Sequence, residues 1–513
     1  MTECSINECN IDTYEQSSKC ILHCEKNDYS SGCNKPGFLQ LFEKELISYI
    51  AIGACSWTDS IPGSINIQVY EEYLKNSSPS ESDLTLDLPI VLTRIVFPEI
   101  GERDRFDYLD VLGKLKEITF NKCDFKSYGL RLLKSSLFFQ ECRFLNKWHI
   151  YNSKILDNFD NVLYQSCTFY DDVSSYSEGD GKYIIDNQLF SDCKFNSKIE
   201  FGDIIFKKQM FNNSDGVGEV IGSFRLTGCE LHEKFILNCY HIGQFSLEDT
   251  VFTSKFEFKH NKVEDFRIYN TNYLKLVDMF GTEYKKFNIV KSIFEDFVGF
   301  ERCVFGTEKD SDTCLVATFT YATFLCFVNF RNTIFNSGLD IENINLKESP
   351  NFLNTEINFK YSNRETFRII KNSFDEIGNH IEANKYFAYE MKSYKKELEN
   401  TNKKQERLIF FLNEKISNYG QSYVRPICLI IGLSILYCLL MLGYENDVLY
   451  RICTDINGAL QIISSALNGV SKNILPFSRF LKEGMEFVSL VFYIFFTSLI
   501  WQTLVAVKRH TKR

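Results

Sequence analysis

Between Leu92 and Phe359 a short motif recurs that leaves this chain few ways to fold. A large apolar residue is followed by a small one three positions on and a second large apolar residue two beyond that. Phe120, Cys123 and Phe125 form one copy; Phe139, Cys142 and Phe144 the next; then Tyr164, Cys167, Phe169 and Phe190, Cys193, Phe195. Leu226, Cys229, Leu231 lead to Leu247, Thr250, Phe252, to Ile268, Thr271, Tyr273 and to Ile289, Ser292, Phe294. Phe300, Cys303, Phe305, then Phe319, Ala322, Phe324 and Phe330, Thr333, Phe335 continue the series. In a short extended segment the two residues nearest the second large position point the same way, so both face one narrow interior. Cys, Thr, Ser and Ala exchange freely at the small position because the constraint there is volume. The copies beginning at Leu226, Leu247, Ile268 and Ile289 are 21 residues apart, and two later steps are 11. A fixed period near 20 specifies a solenoid. A leucine-rich repeat would need a regular Asn or Cys ladder after alternating Leu residues, and none is present.

This use of Cys accounts for many of the chain's 18. They read as small apolar residues in a reducing compartment rather than as a disulfide framework. The first 40 residues hold no signal-peptide core. A net charge of −10 argues against a general nucleic-acid-coating protein.

The motif resembles that of pentapeptide-repeat proteins, over roughly Leu92 to Phe359. The resemblance implies a right-handed quadrilateral β-helix with no catalytic residues of its own, hence a recognition or scaffold surface. The segment Tyr170 to Lys182 reads as an insertion between coils.

The C-terminal part has a different character. Pro426 to Tyr444 and Phe487 to Val507 carry no charge and are long enough to cross hydrocarbon as helices, which takes about 20 residues. Arg407, Lys415 and Arg425 precede the first run, and Lys508, Arg509, Lys512 and Arg513 close the second. Both flanks are basic, so both termini and the solenoid are expected on the cytoplasmic side of the membrane. Between the spans, Gly458 to Phe477 begins as an amphipathic helix, passes through Asn468-Gly469 and runs to Pro476. It is too short to span. It reads either as a re-entrant pore segment, with Ser464, Ser465, Asn468, Gly469, Ser471 and Lys472 as pore-lining candidates, or as an interfacial helix. Two spans cannot enclose a pore, so a channel requires a homo-oligomer, with a tetramer expected.

From Phe367 the apolar residues step by three and four through Ile370, Phe374, Ile377, Ile381, Ala388 and Met391, with Asn384 at a seam position. This reads as a long helix that covers the open end of the solenoid, or as an oligomerising and coupling helix (Phe374, Ile377, Ile381, Asn384, Met391).

At the N-terminus Cys4, Cys9, Cys20 and His23 have the spacing C-x4-C-x10-C-x2-H. Three thiolates and an imidazole suit a closed tetrahedral Zn²⁺ site, structural because four protein ligands leave no open position. His is scarce in the chain, with seven, and Cys24 and Cys33 are rival donors. No phosphate-binding Gly loop, nucleophile elbow, HExxH or calcium loop is present, so an enzyme is not expected. The pairs Lys207-Lys208 and Lys285-Lys286 are the first candidates for holding an anionic ligand.

The domains read as follows: residues 1–36, a Cys/His segment; 37–91, a helical or irregular cap; 92–362, the solenoid; 363–425, a helical connector; 426–507, two transmembrane helices with a pore-like loop; 508–513, a basic tail. The combination resembles bacterial pentapeptide-repeat proteins that end in a two-span, ion-channel-like module. Phe374 to Tyr394, the aromatic second span and the basic tail carry that resemblance. Within that group it resembles the membrane-channel subunits of the Hailong antiphage defence system. The resemblance implies a ligand-gated channel acting as a defence effector. Its signal would be a nucleotide or single-stranded oligonucleotide made by a partner nucleotidyltransferase. A membrane-tethered scaffold binding a protein partner, and an ungated pore-forming toxin, are the alternatives.

Overall fold

The computed structural model describes residues 3–6, 9–26, 37–57, 64–75, 86–100, 106–132, 134–152, 154–156, 162–176, 181–212, 219–307, 316–399, 401, 403–445, 464–468 and 481–511. They fall into two compact units, Met1–Tyr361 and Ser362–Arg513.

In the first unit, parallel strands from Leu86 to Ile357 wind into a β-solenoid of about 10 turns. The 21-residue period is its most regular stretch. Phe224 lies opposite Phe245, Phe266 and Phe287 on successive coils, and Leu226 opposite Leu247, Ile268 and Ile289. Each coil here contributes one eight-residue strand and two of two residues, as in Val220–Thr227, Glu230–Leu231 and Phe235–Ile236. Within the long strand the buried positions are Ile221, Phe224 and Leu226, so the alternation slips once. A strand that changes its buried face has turned a corner, and the long strand therefore occupies two of the four sides.

The interior is a set of aromatic columns. Phe97, Phe125, Phe144, Phe169 and Phe195 stack at centroid spacings of 4.9, 5.1, 4.5 and 5.2 Å, with planes within 10° of parallel. Phe252, Tyr273, Phe294 and Phe324 repeat the arrangement at 5.0, 4.8 and 4.7 Å. Such pairs add about 0.5–1.5 kcal/mol each beyond area burial.

The small position does more than save volume. Cys123, Cys142, Cys167 and Cys193 are buried and donate their thiols to the carbonyls of Leu92, Phe120, Phe139 and Tyr164 on the preceding coil, at 3.1–3.4 Å. Thr333 and Thr355 do the same to Phe300 and Phe330 at 2.7 and 2.8 Å. The residue just before each small position turns the corner with positive φ: Lys122, Glu141, Ser166, Asp192, Asp249, Asn270, Lys291, Arg302, Tyr321 and Asn332. Left-handed backbone is costly for an L-residue with a Cβ, so these corners depend on the packing and thiol or hydroxyl bonds that follow them. Within the segment read as an insertion, Val173–Tyr176 is a rung of the solenoid, and residues 177–180 lie outside the described residues. Val173–Tyr176 pairs with Trp148–His149 before it and Lys198–Gly202 after it. It lacks the large-small-large signature, but Ser175 supplies the same hydroxyl bond, to Ile150 O at 2.8 Å.

The N-terminal end of the solenoid is covered. Helix α1 (Phe38–Trp57) buries Phe38, Phe42, Leu46, Ile50 and Ala54. Its Phe42 ring lies 6.2 Å from Phe97 and 5.6 Å from Tyr108. Helix α2 (Ser64–Lys75) packs on α1, and α3 (Tyr108–Leu112) begins at Asp107, whose carboxylate accepts from Leu109 N at 2.7 Å.

The second unit is helical: α4 (Arg364–Glu376), α5 (His380–Glu399), α6 (Lys404–Ser417), α7 (Val424–Glu445) and α8 (Glu486–Thr511). The periodic run from Phe367 to Met391 forms two helices rather than one. Gly378 adopts φ +75° and Asn379 accepts from Glu382 N through its side chain, so the chain stops and restarts there. Phe367, Ile370 and Phe374 are buried against α5, with Phe374 stacked on Tyr386 at 5.5 Å. Ile377 and Ile381 flank the break and are exposed, and Met391 is half-buried. Helices α7 and α8 pack together through Tyr437, whose hydroxyl meets Ser489 Oγ at 3.1 Å and whose ring lies 5.0 Å from Phe492.

Candidate metal centre and spanning helices

Cys4, Cys9, Cys20 and His23 converge. Their four donor atoms all lie within 4.8 Å of one another, in a pocket where Cys9 alone is half-exposed. Cys9 Sγ is 3.7 Å from Cys20 Sγ, and His23 Nδ1 is 3.7 Å from Cys4 Sγ and 3.1 Å from Cys20 Sγ. The local backbone holds this shape without regular structure. Cys4 N donates to Ile11 O, Ser5 N to Ser18 O, and Cys24 N to Cys20 O. Burial pushes the Cys20 thiol up to about 12 and Cys9 upward, and holds the His23 imidazole below its usual value. At Cys4 burial also pushes upward, but bonds from the Ile6 and Cys20 backbone bring the net shift down. A neutral imidazole and thiols crowded together in low dielectric are a donor set able to hold a metal ion, whose charge would stabilise the thiolates.

Of the rival donors, Cys24 turns away and gives its thiol to Ile21 O at 3.6 Å. Cys33 lies outside the described residues. The knuckle is also a rung: Val96 N donates to Leu22 O at 2.9 Å, which places residues 20–24 on the first coil. Lys26, which the sequence did not single out, is fully buried beside it. Its ammonium donates to Leu22 O and Cys24 O at 3.0 Å each and lies 5.2 Å from the Phe42 ring centroid; burial pushes it down to about 8.

The lysine pairs are exposed and largely balanced. Lys207 pairs with Asp186 at 3.1 Å, Lys285 with Glu264 at 2.9 Å, and Lys286 faces Asp265 across the coil. Lys208 is exposed. Lys285 borders a cleft of about 830 Å³ with His241, Gly243, Lys262, Glu264 and Glu283. Its floor is the bend in the long strands, where Gly243 lacks a side chain; a Cβ there would meet Gly222 O at 2.5 Å.

No family model, curated protein or solved structure matches the chain.

In the second unit, α7 and α8 are long and apolar enough to cross a membrane, with mean hydropathies of 2.4 and 2.0. Their outward residues, among them Ile431, Ile435, Leu439, Ile494, Phe495 and Leu504, are exposed. Of the segment Gly458 to Phe477 between them only 464–468 is described, a helical turn that contains Ser464, Ser465 and Asn468; Gly469, Ser471 and Lys472 lie outside the described residues. Asn468 is a clamp rather than a free polar side chain. Its Oδ1 accepts from Phe487 N and its Nδ2 donates to Gly484 O, both at 2.9 Å, so it caps the start of α8.

The far end of α8 is clasped as well. Asn384 of α5 donates to Arg509 O at 2.8 Å, and the Arg509 guanidinium lies 4.4 Å from the Phe387 ring centroid and donates to Tyr419 O. His510 Nε2 meets Gln421 O at 2.9 Å. The seam asparagine thus holds the base of the second span. Arg509 was legible in the sequence only as one charge in a basic tail.

Proposed function

We propose that this protein is a homo-oligomeric membrane channel whose solenoid receives a cytoplasmic signal. The observation that carries this reading is the outer face of α8. Thr497, Ser498 and Gln502, with Tyr493, Ile494 and Trp501, line a concavity of about 600 Å³ on a span otherwise faced with apolar residues. Polar side chains at membrane depth favour neighbouring helices or water over lipid. Thr497 already donates to Tyr493 O and Gln502 accepts from Ser417, and several copies around an axis would give the concavity, Ser498 included, neighbouring helices and water. The clasp at Arg509 supports coupling: α5, the α6–α7 turn and α8 are tied at one point, so a displacement of α5 reaches the second span directly.

Following the family resemblance, the channel acts as an antiphage defence effector in a bacterial inner membrane, with both termini cytoplasmic. Its gating ligand is a nucleotide or single-stranded oligonucleotide from a partner nucleotidyltransferase, and the cleft around His241, Lys262 and Lys285 is its receptor. In this reading the Cys/His cluster holds a structural Zn²⁺. A tetrahedron with Zn–S of about 2.3 Å and Zn–N of about 2.0 Å has S···S edges of about 3.8 Å and S···N edges of about 3.5 Å. The observed separations of 3.7, 3.7 and 3.1 Å bracket those edges. The ion would hold the knuckle on the first coil, with no role in conduction.

The test is ion flux from liposomes containing the purified full chain, with and without single-stranded oligodeoxynucleotides of defined length. Flux that changes with oligonucleotide, and is lost in Ser498→Leu, supports the reading. A monodisperse monomer in lipid, or an oligomer silent under all conditions, overturns it in favour of a tethered scaffold.

A further inference from the structure

Helix α6 presents an apolar face that, among the described residues of its unit, is met only at its edge, where Lys395 lies 5.7 Å from the Phe411 ring centroid. Leu408 and Ile409 are each 60% exposed, Phe411 46% and Leu412 45%. At 3.6 residues per turn these four lie on one side, with Lys404 and Lys415 on that side at the two ends. The opposite side is used within the unit. Glu406 accepts from Tyr394, Phe410 meets the Tyr394 ring at 5.1 Å, Glu414 pairs with Lys395, and Ser417 donates to Gln502 at 3.0 Å. A contiguous apolar patch rimmed by polar residues, unlike scattered exposed leucines, marks an interaction surface.

The position of α6 selects the partner. The chain leaves it through Asn418, Tyr419 and Gly420, three successive residues with positive φ, and enters α7 at Val424. This elbow is the place where Arg509 and His510 from the end of α8 dock. Gly420 adopts φ +82°, which disfavours any side chain, and a Cβ there would lie 2.7 Å from Arg509 Nη1 and shift the guanidinium. The C-terminal end of α6 is therefore pinned level with the ends of both spans, where a bilayer would have its headgroups. Lys404, Arg407 and Lys415 are exposed on this helix, and Lys508 stands exposed nearby in sequence to the docked Arg509.

We infer that α6 lies in the headgroup plane of an anionic phospholipid surface, with Leu408, Ile409, Phe411 and Leu412 inserted and its lysines reaching outward. Such helices seat their apolar face roughly 5–10 Å into the headgroup–acyl boundary, and long basic side chains bury their stems while keeping their heads in water. The inference rests on the membrane reading of α7 and α8. It adds a second attachment: the elbow fixes the base of both spans to the bilayer surface, so movement of α5 must lift or slide α6 to move them.

Trp501, exposed on α8, makes the test separable from that reading. The full chain is reconstituted in phosphatidylcholine–phosphatidylglycerol vesicles whose acyl chains are brominated near the headgroup or deeper. Quenching of Trp501 in the parent reports the span. In a Trp501→Phe background, Phe411→Trp and Leu412→Trp each report α6 independently, so one well-folded variant suffices. Loss of most of the added emission in shallow-brominated vesicles, with less loss in deep-brominated ones, is expected. If Trp501 is quenched and neither α6 tryptophan is, the face belongs to a second copy or to water and the inference falls alone. If none is quenched, the membrane reading falls with it.

Discussion

Replacing Arg509 tests whether the base of the second span is held or merely adjacent. Its guanidinium makes two kinds of contact: a cation–π interaction with Phe387 at 4.4 Å and a charge-assisted hydrogen bond to Tyr419 O. The first contributes about 0.5–2 kcal/mol depending on desolvation, and the second about 1.5–3 kcal/mol. The side chain is half-buried, so the lower part of each range applies, and Arg509→Ala should cost about 2–3 kcal/mol. Arg509→Lys keeps the charge over Phe387 but lacks the planar fork, and should cost about half as much. Asn384 bonds the backbone of residue 509 and keeps that bond in both variants. In a unit of this size 1 kcal/mol moves the melting temperature by about 2–4 °C, so Arg509→Ala should melt about 4–12 °C below the parent. The assay is thermal unfolding of the full chain in detergent, followed through Trp501, with proteolysis at the elbow as a second reading. Parent, Lys and Ala variants that melt together would refute the clasp. A fall in Ala fully matched by Lys would assign the effect to the planar fork and leave the ring contact without weight.

Other consequences are as direct. Cys20→Ala should abolish the bound metal, read as metal content per chain in the purified protein, because three donors remain and one is half-exposed. Cys229→Thr should be nearly neutral, since Thr250 and Thr271 hold the same corner on the next coils, whereas Cys229→Val removes the thiol bond to Phe201 O and should cost about 0.5–1.5 kcal/mol by denaturant titration. Phe266→Ala removes a ring stacked at 5.2 and 5.1 Å on Phe245 and Phe287, and should cost about 3–5 kcal/mol, seen as protease cleavage within the regular coils. Asn468→Ala should lower stability by about 1 kcal/mol through the lost cap on α8, measured by the same thermal assay.

The solenoid was legible because its constraint is periodic. Leu226, Leu247, Ile268 and Ile289 state the coil length, and the register repeats it. The metal cluster was legible because ligand type and spacing sit within a few turns of chain. Other features follow from contacts that no local pattern encodes. Lys122 and Glu141 carry no mark of a left-handed corner, which is enforced by packing and by the thiol after it. The heptad steps through Ile377 and Ile381 were real, but Gly378-Asn379 is a stop signal that outweighs them. Asn384 was marked as special for its polarity on a seam, yet its partner lies 125 residues away. Asn468 was marked for pore chemistry, and its geometry is that of a cap.

The coil ladder has a direction. Cys123, Cys142, Cys167 and Cys193 each donate to the rung before them, so these rungs are complete only when their predecessors are in place. The Cys/His knuckle lies ahead of the coils in the chain and the spans lie behind them, so the ribosome delivers lid, stack and anchor in that order. A chain growing this way never has to search for distant partners, and its one open edge is always the newest rung, shielded at the exit tunnel rather than offered to a neighbour as a template. Loss of the knuckle would reverse this advantage, leaving the oldest edge bare throughout synthesis. Its clearest effect would then be aggregation during expression, before the helical unit has been made.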